Sequence, residues 1–201
     1  SVLLSMGIIL YLSKIFTQSM LEALISSKTR VKLLLKFFLN SKAVGYLRGL
    51  EQEFGESSNS IRLELNRFEE AGMLTTETSG NRKYFRANTK HPLYNEMHNI
   101  LRKYIGVDEI IEKVICSLGE VDDVYLVGSL SRGINAEIID LIIFGNIDKA
   151  FLIKLIDKVE NHISRKIRYI TYSSDMHEKV MQDYPDALLL WSKKENILNE
   201  R

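Results

Sequence analysis

Residues 57–87 read SSNSIRLELNRFEEAGMLTTETSGNRKYFRA. Ser57 or Ser58 is suited to capping a helix, because a short hydroxyl side chain accepts a bond from the free N–H groups of a first turn. Ile61, Leu65 and Phe68 then recur at helical spacing, and Ala71-Gly72 closes the run. Beyond it, Met73–Thr78 and Arg82–Ala87 are strand-like stretches around Ser79-Gly80-Asn81, a turn signal. Upstream, Ser26-Ser27-Lys28 can cap a helix in which Val31, Leu34, Leu35 and Phe38 repeat as far as Asn40. Tyr46–Phe54 forms a shorter helix with Leu47, Leu50 and Phe54 inward, and Gly55 ends it.

The order is therefore helix, short helix, turn, longer helix, two-stranded ribbon: a helix-turn-helix followed by a wing. On the longer helix Ser58, Asn59, Arg62, Leu63 and Asn66 lie off the apolar stripe, the first of them at the end that enters a major groove. Arg62 suits a guanine edge, and Asn59 or Asn66 an adenine. Arg82 and Lys83 at the wing tip suit phosphates or a minor groove, and Arg30, Lys32, Lys36, Lys42 and Arg48 suit further backbone contacts. Each of these charges taken alone is equally well an ordinary solvated one, and a winged helix also serves as a protein-interaction module.

The whole chain has 201 residues, 45% apolar and 26% charged, with 2 prolines and 11 glycines. That composition excludes a disordered or collagen-like chain. One cysteine, Cys116, excludes a disulfide scaffold and a thiolate zinc cluster, and the four histidines form no His-x-x-x-His pair. The net charge of +1 conceals an asymmetry. Residues 1–106 carry 15 Lys/Arg against 9 Glu and no Asp, whereas residues 107–201 carry 12 against 17 acids. A basic front joined to an acidic back points to two modules with different partners. The apolar run Ser1–Leu12 stops at Lys14, short of the roughly 20 residues a membrane span needs, and lacks the flanks of a signal peptide. The expectation is a cytoplasmic protein without a membrane partner, with residues 1–19 an extra segment packing on the domain or a second subunit. Met20 is an alternative start.

His91-Pro92 punctuates the chain. Pro92 suits the first turn of a helix that Leu93, Met97, Ile100, Leu101 and Tyr104 continue to Gly106. A second helix over Val107–Leu118 would bury Ile110, Ile111, Val114 and Ile115. Then Val121–Val127 reads as a buried strand, Gly128-Ser129-Leu130-Ser131-Arg132-Gly133 as a turn, and Ile138–Phe144 as a strand whose polar member is Asp140. A helix over Ile147–Ile163, a strand over Lys166–Tyr172 and helical stretches through Met181 and over Ala187–Trp191 complete the chain. A carboxylate inside an apolar strand is costly unless paired. Asp140 is either salt-bridged, with Arg132 or Arg168 as the partner, or a ligand for metal or phosphate.

Three stretches, SSKTRVKLLLKFFLN (26–40), FGESSNSIRLELNRFEEAGML (54–74) and GNRKYFRANTKHPLY (80–94), resemble the winged helix-turn-helix of ArsR/MarR-like prokaryotic transcriptional regulators. The likeness is to the subgroup fused to a minimal nucleotidyltransferase domain. It implies operator binding as a homodimer, with double-stranded DNA as the partner. The string GSLSRGINAEIIDLIIF (128–144) resembles the signature of the DNA polymerase β-like nucleotidyltransferase superfamily, and RKIRYITYSSDMHEKVM (165–181) resembles a later strand-helix segment of the fused regulators. That resemblance puts Gly128 and Ser129 in the phosphate loop, followed by Arg132-Gly133, and Asp140 at the second carboxylate. The first carboxylate position is Ile138, and Glu137 precedes it. The superfamily's acids, two residues apart on one strand face, hold two divalent cations about 4 Å apart, usually Mg²⁺. One carboxylate cannot form that clamp, and the superfamily's third acid, which sits on a later strand where present, has no counterpart in residues 161–174, which hold no Asp or Glu.

The resulting expectation is an α+β protein. Its parts are a winged helix-turn-helix over residues 20–90, a helical connector or dimerisation region over 91–118, and a minimal nucleotidyltransferase-like domain over 119–201. The candidate DNA-binding residues are Ser58, Asn59, Arg62, Leu63, Asn66, Arg82 and Lys83. Gly128, Ser129, Arg132 and Asp140 form a remnant pocket for a nucleotide or small-molecule effector. No catalytic residue, resident cofactor or metal is expected; Asp140 is the one candidate metal ligand, for Mg²⁺ with a nucleotide. The alternatives are an active, metal-dependent nucleotidyltransferase, including one of antitoxin type, and a pure protein-interaction module.

Overall fold

The computed structural model describes residues 25–163 and 165–194. The apolar segment at residues 1–19 and the alternative start at Met20 lie outside the described residues. The chain divides into two compact units, one of Ala23–Leu101 with Arg132–Asn135, the other holding Arg102–Ser131 and Ala136–Arg201. Both mix helices with an antiparallel or mixed sheet.

In the first unit, helix α1 (Lys28–Leu34) begins where the Ser27 hydroxyl accepts from the Arg30 amide, and it continues in wider π-type turns over Leu35–Leu39. Leu33, Leu34, Leu35, Phe37 and Phe38 are all buried, so the segment is apolar around most of its girth rather than along one stripe. A short strand, β1 (Val44–Tyr46), leads into α2 (Leu47–Phe54), which ends at Gly55 with φ of 63°. Helix α3 (Ser58–Glu70) is capped by Ser57, whose hydroxyl accepts from the Ser60 amide. It buries Ile61, Leu65 and Phe68, as the spacing predicts, and also Glu64. Strands β2 (Leu74–Ser79) and β3 (Arg82–Ala87) form a hairpin whose last pair is Ser79 with Arg82. Its two-residue loop places Gly80 at φ of 57°, where a left-handed backbone lets two twisted strands join tightly. β3 also pairs with β1, giving the order β1-β3-β2. The three-residue β1 is too short to show a period of two, and its order comes from that pairing.

Helix α4 (Tyr94–Ile105) contains the boundary between the units, at Leu101 and Arg102. In the second unit, helix α5 opens as Val107–Ile110, widens over Ile111–Ile115 and closes as Cys116–Leu118. Ile110, Val114 and Ile115 are buried, but Ile111 is only half-buried. Strand β4 (Val121–Val127), the single turn α6 (Gly128–Ser131), β5 (Ile138–Gly145), α7 (Lys149–Glu160) and β6 (Lys166–Tyr172) follow. After a 3₁₀ turn come α8 (His177–Met181) and β7 (Leu188–Ser192). The sheet order is β6-β5-β4-β7, with β5 and β6 parallel and the other pairs antiparallel.

Alternation divides β5 between two faces. Ile139, Leu141 and Ile143 are buried on one, and α7, capped by Asp148, packs on the wide turns of α5. On the other, Ile142 and Phe144 join Val127 and Val180, with Tyr125, Tyr172 and Tyr184 packed against them. Two sequence expectations are corrected here. Ala187–Trp191 is not helical, because Leu188–Ser192 pairs with β4; a short apolar run has no period that tells strand from helix. The helix expected over residues 147–163 is shorter at both ends, starting after the Asp148 cap and ending at Glu160.

Candidate functional site

In the first unit, α3 and the β2–β3 hairpin border a groove of about 1020 Å³. Arg62 and Asn66 reach it from α3, Arg48 from α2, and Asn81, Arg82 and Lys83 from the hairpin; among the described residues no acidic side chain lines it. Arg48, Arg62 and Arg82 make no ion pair among the described residues. The Arg82 guanidinium lies 4.9 Å from the centroid of the Tyr46 ring, and Tyr46 in turn sits edge-on to Tyr84 at 5.6 Å. A hydrogen bond with Tyr84 raises the pKa of Arg82 further, so its charge is permanent and its head is held by aromatic neighbours. Asn59 and Leu63 are exposed on α3, Leu63 by 52%, but do not line the groove. Ser58 is the first helical residue, half-buried, with Ser57 as the cap.

Four of the cations expected to contact a nucleic-acid backbone are already paired within the unit. Arg30 donates two bonds to the buried Glu64 carboxylate at 2.8 and 3.2 Å. Lys32 lies 2.7 Å from Glu56, Lys36 lies 2.8 Å from Glu53, and Lys83 at the wing lies 2.6 Å from Glu69. These partners are 14 to 34 residues distant in sequence, so no local pattern signals them. The sequence marks Tyr46 as a helix residue and Asn81 as a turn residue, not as groove residues, for a similar reason: Tyr46 enters the groove only because β1 pairs with β3.

In the second unit the strand register decides the surroundings of Asp140. It pairs with Val127 across β4 and with Arg168 across the parallel β6. Side chains of paired residues share a face. The Arg168 Nε donates to Asp140 Oδ1 at 2.5 Å, with the carboxylate 16% and the guanidinium 70% exposed. The carboxylate raises the pKa of Arg168, first by that hydrogen bond and then by its charge. Of the two salt-bridge partners the sequence offers, the one found is Arg168. Gly128, at φ of 74°, comes so close that a Cβ there would lie 2.6 Å from Asp140 Oδ2. A residue with a side chain would displace the carboxylate.

Beside this pair is a cavity of about 270 Å³ lined by Gly128, Asp140, Arg168, Tyr169, Ile170 and Tyr184, among others. Gly128 and Asp140 are thus brought together, and Arg168 joins them. Ser129 is half-buried and does not line the cavity. Arg132 is exposed, groups with the other unit and does not line the cavity either. Ile138, 40% exposed, alternates onto the same face as Asp140, where a second carboxylate would be needed. The donor set does not fit a two-metal clamp. Among the described residues, no group of three or more His, Cys, Asp and Glu side chains is placed to hold a metal ion. No described helix is long and apolar enough to cross a membrane.

No protein-family model and no curated protein matches the chain. Among solved structures it is similar to a Sulfolobus solfataricus protein assigned as a nucleotidyltransferase, at 20% identity and a TM-score of 0.33 over 44% of this chain and 79% of that one. It is also similar to a mutant form of the toxin–antitoxin complex MntA–HpeT, at 18% identity and a TM-score of 0.36 over 45% and 75%. A third is the tri-AMPylated Shewanella oneidensis HEPN toxin in complex with MNT antitoxin, at 17% identity and a TM-score of 0.33 over 45% and 73%. Each overlap covers less than half of this chain.

Proposed function

We propose that the chain is a sequence-specific, double-stranded-DNA-binding transcriptional regulator whose second unit is a nucleotidyltransferase-like domain that transfers no nucleotide. In this reading α2 and α3 are the helix-turn-helix, α3 enters the major groove, and the β2–β3 hairpin is the wing. The observation that carries it is the groove between α3 and the hairpin, where Arg48, Arg62 and Arg82 stand without acidic partners. Unpaired arginines beside exposed asparagines match both the phosphate charge and the hydrogen-bonding edges of bases. A surface for an ordinary protein partner has no need to exclude every carboxylate.

In this reading the second unit carries out no metal-dependent transfer. The carboxylate on β5, Asp140, is engaged by Arg168, and the neighbouring position on that face is Ile138. The alternative, an active nucleotidyltransferase, requires Asp140 free of Arg168 and a second acid beside it. Binding to an operator as a homodimer is what the first unit's resemblance to ArsR/MarR-like regulators implies.

Selection of bound fragments from a genomic library, followed by titration, tests the DNA reading. One fragment class should be enriched, and Arg62→Ala should cost about 1–3 kcal/mol and relax preference at one base position. Enrichment no greater than for random DNA rejects it. Incubation with labelled nucleoside triphosphates, magnesium and cell extract tests the second half. A labelled product that disappears in Asp140→Ala would make the protein an enzyme.

A further inference from the structure

In a metal-dependent transferase a strand carboxylate holds a cation, and the cation holds the phosphate. Here the carboxylate also holds a cation, but it is a guanidinium. Arg168 uses only Nε on Asp140, and among the described residues that is its one bond. A guanidinium has five N–H donors in a planar fork, so four remain for another acceptor. The side chain is 70% exposed, yet fixed at its inner end by a 2.5 Å contact to a carboxylate beside which only a glycine, Gly128, fits. An exposed arginine anchored in this way keeps its charge in one place and pays little entropy on taking up a ligand. On the face of Arg168 the adjoining cavity of about 270 Å³ is walled by Ile142, Ile170 and Tyr184, which suit a flat apolar body and not a polyphosphate chain. Its size falls just under the roughly 300–1,000 Å³ of small-molecule pockets, room for one ring system.

We propose that Arg168, held by Asp140, replaces the divalent cation of a transferase site, and that the cavity binds an oxyanion carried on a flat apolar body, a nucleoside monophosphate by class, without metal. The phosphate takes the free Nη donors of Arg168, and the base lies against Tyr184, which packs on the same sheet face as Asp140 and Ile142. This rests on the second unit being catalytically inert, and the two ideas fail separately. A labelled transfer product sinks that reading, whereas the experiment below addresses binding alone.

Isothermal titration of the full chain with AMP, adenosine and inorganic phosphate, each in EDTA and again in magnesium, is the test. AMP should bind in EDTA at least as tightly as in magnesium, and more tightly than adenosine or phosphate alone. Arg168→Gln, a change at an exposed side chain, should weaken AMP about tenfold or more, the value of one charge-assisted bond. Arg168→Lys keeps the charge but not the fork and should fall between. The proposal is overturned if AMP fails to bind in EDTA, if it binds only with magnesium, if adenosine binds as well as AMP, or if Arg168→Gln leaves the affinity unchanged.

Discussion

Glu64 is 4% exposed on α3, and its carboxylate accepts from Arg30 and from Arg67 at 3.2 Å. Removing one partner of a buried pair leaves a charge without compensation, which costs about 3–5 kcal/mol. Arg67 remains and Arg30 is itself 31% exposed, so Arg30→Ala should fall at the low end, about 3 kcal/mol, by urea unfolding. Glu64→Met removes the charge and keeps the volume, and should come out close to neutral within about 1 kcal/mol. A larger loss in Glu64→Met than in Arg30→Ala would show that the carboxylate contributes stability of its own. The position of Glu64 is legible in the sequence, because it stands three residues after Ile61 and one before Leu65, on the apolar stripe. Its partner is not legible. Arg30 looks like any exposed cation until a residue 34 positions away folds against it. Asp140 shows the converse: the sequence marks the carboxylate as needing a partner, and only the parallel register selects Arg168.

Among the elements, the β2–β3 hairpin is tied to α3 through Glu69, which accepts from Lys83 at 2.6 Å and from the Thr76 hydroxyl at 3.1 Å. The Lys83 hydrogen bond, outweighing the opposing effect of burial and aided by Thr76, holds the Glu69 carboxyl below its ordinary value of 4.5. A carboxyl whose folded pKa is lowered stabilises the fold fully above the unfolded value and loses that contribution as pH falls through the folded one. The hairpin should therefore loosen below pH 4.5, with faster amide exchange in β2 and β3 than in α3. Lys83→Met should return the Glu69 midpoint toward 4.5 in a carboxyl NMR titration; an unchanged midpoint would remove the pair as its cause. On the proposed DNA-binding reading, this pairing predicts that Arg82→Ala weakens binding more than Lys83→Ala. At this scale the sequence reads well wherever a period repeats, as in α3, β4, β5 and β6. It reads poorly at β1 and β7, which are too short or too uniformly apolar to show one.

For the whole molecule, the basic front half and acidic back half lie largely in different units, as the charge count along the chain suggests. If the chain binds an operator as the proposed two-fold dimer, hydroxyl-radical footprints should show two protected stretches about 10–10.5 base pairs apart or a multiple of that spacing. Affinity should fall steeply with salt, since the groove acts through arginines and phosphates release counterions when neutralised. The most direct measurement is a competition titration at about 0.15 M salt between a duplex recovered by genomic selection and a scrambled duplex of the same length and composition. The groove lined by Arg48, Arg62 and Arg82 predicts that the selected duplex binds at least about 1,000-fold more tightly, and that Arg62→Ala narrows the ratio while Asp140→Ala leaves it unchanged. Equal affinity for the two duplexes would contradict it.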